Sequence, residues 1–172
     1  LALMGDALIA LARLESEGAE IERAPADLAA LVRERVRRFT TTHAPPTPSV
    51  IPVVGAQPVM ARVDARLVGL ALDQLVENAL RYTPPGTAIW VGLVPGPATV
   101  ALVVEDAGPG VPDAQVAQLF EPFFRPDPAR PRGGAGLGLT LVRSVAAAHG
   151  GRATADRSAH GGLRVTLELP RG

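Results

Sequence analysis

Three groups of residues in this sequence have the side-chain types and spacing to do chemistry. The first is Gln74, Asn78 and Arg81, inside LALDQLVENALRYTPPGT (70 to 87), and Asn78 is the only asparagine among 172 residues. At ~100° per residue the three fall within about 60° of one another on one helix face. A carboxamide oxygen is a neutral, hard donor suited to one position on Mg²⁺, an ion that keeps several waters and shares the rest with phosphates. The plain alternative is a helix-face asparagine bonded to backbone. Arg81, one turn on, adds positive charge for phosphate oxygens. Glu77 neighbours Asn78 but sits ~100° around the helix and can pair with Arg81 at i+4.

The second group is Asp106 with Gly108 and Gly110, in VEDAGPGVP. An aspartate at a strand end can accept from an exocyclic amine such as adenine N6, and two glycines let backbone approach a flat ring without Cβ interference. A tight turn whose aspartate bonds its own backbone would look the same. The third group is Gly134-Ala135-Gly136-Leu137-Gly138. Glycine amides ahead of a helix N-terminus make an anion site, with N–H groups and dipole both aimed at phosphate. No Gly-Lys-Ser/Thr follows, so this is not a Walker A loop. The third glycine comes one residue too early for the dinucleotide GxGxxG.

The elements that must position these groups can be read from periodicity. Val68, Leu72, Leu75, Val76 and Ala79 recur at helical spacing between Asp64 and Tyr82, and Thr83-Pro84-Pro85-Gly86 ends that helix. Upstream, Leu1, Met4, Leu8 and Leu11 form one seam of a bundle or coiled coil, closed by Gly18. Residues 19 to 23 read as a short strand. Pro25 and Asp27 open a second helix, Leu28 to about Thr42, whose outer face (Arg33, Glu34, Arg35, Arg37, Arg38) reads as solvated. Segments 49 to 54 and 58 to 63 read as a hairpin through Gly55, and 87 to 94 with 99 to 106 as another. A short helix from Asp113, the segment FEPFFR (120 to 125), a mobile flap over 126 to 134, and a helix from Gly138 to His149 follow. Two strands with a turn at His160-Gly161-Gly162 complete an α+β layer sandwich, one sheet with helices on one face.

Composition narrows the options. Seventeen arginines, no lysines and 17 acidic residues balance to zero, so no bulk field points to nucleic acid. The absence of cysteine removes disulfides, zinc-thiolate sites and thiol catalysis. No stretch approaches ~20 uninterrupted apolar residues, so no membrane contact is expected of this chain. The chain starts directly in helical periodicity and reads as part of something longer.

In this order, LDQLVENALRYTPPGT, VEDAGPGVP, LFEPFFRP and GGAGLGLTLV resemble the N, G1, F and G2 boxes of the histidine kinase catalytic domain. That domain belongs to the gyrase, Hsp90, histidine kinase and MutL ATPase superfamily. The resemblance runs from about residue 20 to Pro170. It implies a two-layer sandwich with a mixed, mostly antiparallel sheet, the Bergerat-like ATP-binding fold. It makes residues 1–18 the end of the dimerisation and phosphoacceptor hairpin, with the acceptor histidine upstream of Leu1, and 19–172 the catalytic domain.

Carried over by residue, the resemblance makes Asn78 the Mg²⁺ ligand and a catalytic residue beside Arg81 and Arg125. Gln74, Arg81 and Tyr82 line the nucleotide, Asp106 binds adenine N6, and Gly108 and Gly110 flank the ring. Phe124, with Phe120 and Phe123, supports a lid over about 125 to 136. Arg125, Gly134, Gly136, Leu137, Gly138 and Leu139 serve lid and phosphates. Position 74 is usually asparagine in these kinases and a water-activating glutamate in the ATPases. Gln74 cannot be that base, which favours phosphoryl transfer over hydrolysis. The implied partners are ATP, the protein's own dimerisation domain and a cognate response regulator. The full-length protein is expected to be a homodimer and this chain a monomer, the cytoplasmic domain of a bacterial membrane sensor. An ATPase or switch of the same superfamily, and a nucleotide-binding scaffold without transfer, share these residues.

Overall fold

The structure, a computed structural model, describes residues 2–16, 19–43, 47–126 and 135–172, with side chains from residue 5. Its elements in chain order are α1 (Ala2–Leu14), β1 (Ala24–Asp27), α2 (Leu28–Thr42), β2 (Ser49–Val53), β3 (Met60–Val63), α3 (Ala65–Tyr82), β4 (Ala88–Pro95) and β5 (Thr99–Asp106). Then come α4 (Asp113–Val116), a 3₁₀ turn (Ala117–Phe120), α5 (Gly138–Ala148), β6 (Arg152–Arg157) and β7 (Leu163–Pro170). Five strands form one sheet in the order β2-β4-β5-β7-β6. β2 runs parallel to β4 and every other pair is antiparallel, the mixed, mostly antiparallel sheet expected.

Alternation decides which face is covered. Ile89 and Val91 of β4, Val100, Leu102 and Val104 of β5, and Val165, Leu167 and Leu169 of β7 are buried, and they lie on one side of the pleat. The buried stripes of α2 (Val32, Val36, Phe39), α3 (Val68, Leu72, Leu75, Val76, Ala79) and α5 (Leu141, Val142, Val145) complete the same core. The result is one sheet with its helices on one face.

Four expectations need correction. Segments 49–54 and 58–63 do not form a hairpin. β2 pairs with β4, Val50 opposite Ile89, while β3 pairs antiparallel with β1, Ala61 opposite Ala26. Alternation gives each segment a face but no partner; here Asp27 decides. Its Oδ1 accepts from Ala29 N–H (3.0 Å), capping α2, and from Val59 N–H (3.0 Å), drawing that segment to β1. The strand near the start of the domain lies at 24–27 rather than 19–23, and Pro25 is tolerated because this two-stranded sheet has free edges.

Arg35 is not on a solvated face. Its Nη1 meets Asp73 Oδ2 at 2.6 Å, with Arg38 at 3.9 Å, and the Asp73 side chain is only 2% exposed. Burial raises the Asp73 pKa although both arginines oppose it. Gly69 makes room, since a Cβ there would strike the Arg35 guanidinium. In α1, the expected seam holds at Leu11 and not at Leu8. Ala7, Ala10 and Leu11 are buried, whereas Leu8 is 55% exposed. Leu1 and the Met4 side chain lie outside the described residues.

His149 does more than close a helix. It is buried, its Nδ1–H donates to Val145 O (2.8 Å), and its Nε2 accepts from Asp64 N–H (3.0 Å). The neutral ring thereby ties the end of α5 to the start of α3. Burial lowers its pKa below 6.5, with Arg23 reinforcing and the Val145 carbonyl and Asp64 opposing. The stability this ring contributes is therefore complete above pH 6.5 and is lost as pH falls through the lowered folded value. Thermal melts are expected to show stability declining below pH 6.5 by up to about 1.4 kcal/mol per pH unit. In His149→Gln that slope should flatten; an unchanged slope would place the titration elsewhere.

Candidate nucleotide site

α3 is held at both ends. Asp64 Oδ1 accepts from Leu67 N–H (3.0 Å) at its start, and Thr83 N–H donates to Ala79 O (2.9 Å) at its finish. Between them Gln74, Asn78 and Arg81 line one cavity of about 520 Å³. Among the described residues none of these three side chains makes a hydrogen bond or an ion pair. The plain reading of Asn78 as bonded to backbone is therefore not what the fold shows. Glu77 lines the same cavity and forms no ion pair with Arg81.

Asp106 ends β5 as a buried carboxylate. Its Oδ1 accepts from Gly108 N–H (2.8 Å) and Leu163 N–H (3.1 Å). With Oδ1 spent on backbone, Oδ2 is the oxygen left for a ligand. Burial raises the Asp106 pKa, and the two N–H donors oppose that rise. Gly108 lies behind the wall and not on it. A Cβ there would sit 2.9 Å from Tyr82 O, so this glycine lets the strand end pack on the α3 terminus. Gly162, read from the sequence only as part of a turn, is equally tight, because a Cβ would overlap Asp106. Gly110 lines the cavity, and its φ of 71° is one that glycine, without a Cβ, adopts at no steric cost.

The opposite wall joins FEPFFR to α5. Thr140 Oγ1 donates to Phe120 O (3.1 Å), and Phe123 N–H donates to Gly136 O (3.0 Å). Gly136 (φ 75°) is packed so closely that a Cβ would lie 2.7 Å from the Phe123 carbonyl carbon. Phe120 is buried, Phe123 is 72% exposed, and Phe124 and Arg125 line the cavity. Leu137, Gly138 and Leu139 bring in the first turn of α5, whose leading N–H groups have no intrahelical partner. A Cβ on Gly138 would sit 2.9 Å from Gln74 Oε1, so the amide of α3 is seated against the start of α5.

Of the residues singled out in the sequence, Gln74, Asn78, Arg81, Tyr82, Asp106, Gly110, Phe124, Arg125, Gly136, Leu137, Gly138 and Leu139 therefore share one cavity. Gly134 and most of the segment read as a flap lie outside the described residues. The sequence reading missed Leu119, Val111 and Leu163, apolar parts of the wall, together with Gln115 and with Ala7 and Leu8 of α1. Their types are those of any core or surface position, so no local signal marks them.

The arrangement is an apolar slot with a carboxylate at one end and amides, a guanidinium and helix N–H groups elsewhere. Its size and lining suit a nucleotide. Among the described residues no three His, Cys, Asp or Glu side chains converge on a metal position. A cation held here would take Asn78 and the ligand's own oxygens, the donor set Mg²⁺ prefers.

Comparison with known proteins agrees with this geometry. The chain is 35% identical over 127 residues to the probable sensor kinase SilS of Salmonella typhimurium, covering 73% of this chain and 25% of that protein. The ATP-binding domain of PrrB from Mycobacterium tuberculosis superposes with a TM-score of 0.69 at 25% identity, covering 88% of this chain and 98% of that one. Full-length ShkA, in complex with AMPPNP, gives 0.83 at 25% identity over 98% of this chain and 35% of its own. The chain spans about a quarter of the length of the curated relatives it matches. Residues 63–172 match the profile described as histidine kinase-, DNA gyrase B- and HSP90-like ATPase, and the chain belongs to that family, as an ATP-binding catalytic domain of the histidine kinase type.

Proposed function

We propose that this chain binds ATP with Mg²⁺ in the cavity and donates the γ-phosphoryl group to a histidine of the dimerisation hairpin, of which α1 is the end. The observation that carries it is the face of α3. Gln74, Asn78 and Arg81 line the cavity with no bond to the described residues, so their polar groups are left for a ligand. In this reading Asp106 Oδ2 accepts from adenine N6, with Tyr82 and Gly110 around the base and Gly108 behind the wall, where it lets the strand end pack on α3. Asn78 holds Mg²⁺, which supplies charge neutralisation on the phosphates. Arg81, Arg125, Gly134, Gly136, Gly138 and the α5 amides would hold the phosphate oxygens. The bond from the γ-phosphorus to its bridging oxygen breaks, a phosphorus–nitrogen bond to imidazole forms, and ADP leaves. Such transfer asks a protein mainly for positioning and charge neutralisation.

The phosphoryl group would then pass to an aspartate of a response regulator, with the whole protein a homodimeric sensor and this domain cytoplasmic. Among the described residues no helix is long and apolar enough to cross a membrane. The test is γ-labelled ATP. The 172-residue chain alone should take up no label, because His43, His149 and His160 are ill placed as acceptors. His149 is buried and bonded at both nitrogens, His160 stacks on Trp90 at 3.5 Å, and His43 stacks on Phe39. A chain extended upstream should take up label stable to base and lost in acid. Glu77 on the cavity wall is the one observation favouring hydrolysis, and rapid phosphate release by this chain would promote that reading.

A further inference from the structure

We infer that Glu77 selects the cation-loaded nucleotide over the free one. Its carboxylate accepts hydrogen bonds from the water shell of the Mg²⁺ that arrives with ATP, and it repels ATP that arrives without the ion. The inference rests on the reading of the cavity as a nucleotide site and names which form of the nucleotide that site takes.

Among the described residues, the charged side chains that line the cavity are Glu77, Arg81, Asp106 and Arg125. The two arginines suit a polyphosphate. Asp106 is buried at the end of β5, with Oδ1 held by two N–H groups. Glu77 holds nothing in the fold. It is half-buried on α3, immediately before Asn78 and on the wall of the same cavity. Its carboxylate makes no hydrogen bond or ion pair among the described residues, and its oxygens are not among those sealed from solvent. Arg81, four residues on, stands in the favourable order for a helical ion pair, yet the pair does not form.

A bare carboxylate on the wall of a triphosphate site opposes the ligand, because like charges repel, and more strongly where the walls exclude water. A cation between them reverses the sign. Mg²⁺ keeps several of its waters and is bound by one or two protein groups together with substrate phosphates. Asn78 offers it a neutral oxygen, which cancels none of its charge. Glu77, one residue earlier on the same wall, offers negative charge and acceptors for the protons of its waters, and hydrogen bonds to an ionised group are the strong ones. Gln74, Arg81 and Tyr82, the other side chains that α3 brings to the cavity, supply no negative charge.

The test is calorimetry of ATP in excess Mg²⁺ and in EDTA, at one ionic strength, on the 172-residue chain and on Glu77→Gln and Glu77→Asp. Glu77→Gln is nearly isosteric and gives up no bond among the described residues, so it should fold as the unmodified chain does. It should bind Mg²⁺-free ATP roughly two- to fivefold more tightly, because a repulsion is gone. It should bind ATP with Mg²⁺ more weakly, so that the gain conferred by the ion shrinks roughly tenfold, the scale of one hydrogen bond to a charged group. Glu77→Asp keeps the charge and should bind Mg²⁺-free ATP as weakly as the unmodified chain. The inference is overturned if Glu77→Gln leaves both affinities unchanged or lowers both equally, or if Glu77→Asp matches Glu77→Gln on Mg²⁺-free ATP. It also fails if the effect vanishes in an Arg81→Gln background, since Glu77 would then act only through Arg81. An unmodified chain that binds ATP equally with and without Mg²⁺ overturns this inference alone. One that binds neither form takes down the nucleotide reading itself, and the inference with it.

Discussion

Asn78→Ala, in a chain that includes the upstream acceptor helix, is expected to lower histidine phosphorylation by roughly a hundredfold or more. The change leaves the fold intact. Alanine is the better helix former, Asn78 is only half-buried, and its carboxamide makes no hydrogen bond among the described residues that the variant would lose. What disappears is the neutral oxygen proposed for the cation, on a face where the nearest alternative donors are Gln74 and the Glu77 carboxylate. Binding of nucleotide without Mg²⁺ should fall little, because the base slot built by Asp106 and its glycines is untouched. The dependence of binding on Mg²⁺ should shrink. Initial rates of label incorporation, with calorimetry at both Mg²⁺ levels, separate the two effects. A variant that phosphorylates at the original rate would remove Asn78 from the chemistry.

Asp106→Asn is expected to reverse the base preference. Asparagine keeps an Oδ1 to accept from Gly108 and Leu163 N–H, the bonds that hold the side chain at 2.8 and 3.1 Å. Its amide nitrogen then takes the place of Oδ2. Adenine N6 would meet a donor in place of an acceptor, whereas the O6 carbonyl of guanine would find a partner. An unpaired buried polar group costs on the order of 1–3 kcal/mol, so ATP affinity should fall roughly ten- to a hundredfold while GTP gains. Asp106→Ala should erase the preference without reversing it. The variant also carries its own folding control. Because burial raises the Asp106 pKa, this group adds stability in its protonated form, below its unfolded value, and that contribution is lost as pH rises through the folded value. At neutral pH its charge is a cost, so Asp106→Asn should melt no lower than the unmodified chain. A lower melting temperature, or unchanged preference for ATP over GTP, would count against the assignment.

The site was legible where chemistry demands particular residue types. An amide on a helix face, an aspartate at a strand end and glycines before a helix are few, and periodicity places them on elements that the core then fixes. Val68, Leu72, Leu75, Val76 and Ala79 point one face of α3 inward, and geometry alone sends Gln74, Asn78 and Arg81 elsewhere. Partnership was not legible. The segment around Val50 and the one around Ala61 alternate alike, yet one adds in parallel to the edge of the main sheet and the other joins β1. Arg35 sits among four charged neighbours that suggest solvent, and only the fold sets it 2.6 Å from Asp73. His149 resembles any polar helix terminus until Asp64 arrives from 85 residues away. Gly162 matters for what faces it across the chain, and sequence spacing carries no record of that.

The most direct test of the account is a calorimetric titration of the 172-residue chain with ATP in the presence of Mg²⁺. Binding costs the ligand its free motion and the side chains around it their rotamer freedom, which limits affinity. The expected result is one binding site, micromolar or weaker, with ATP preferred over GTP. No detectable heat up to millimolar ATP, from a chain that melts cooperatively, would contradict it.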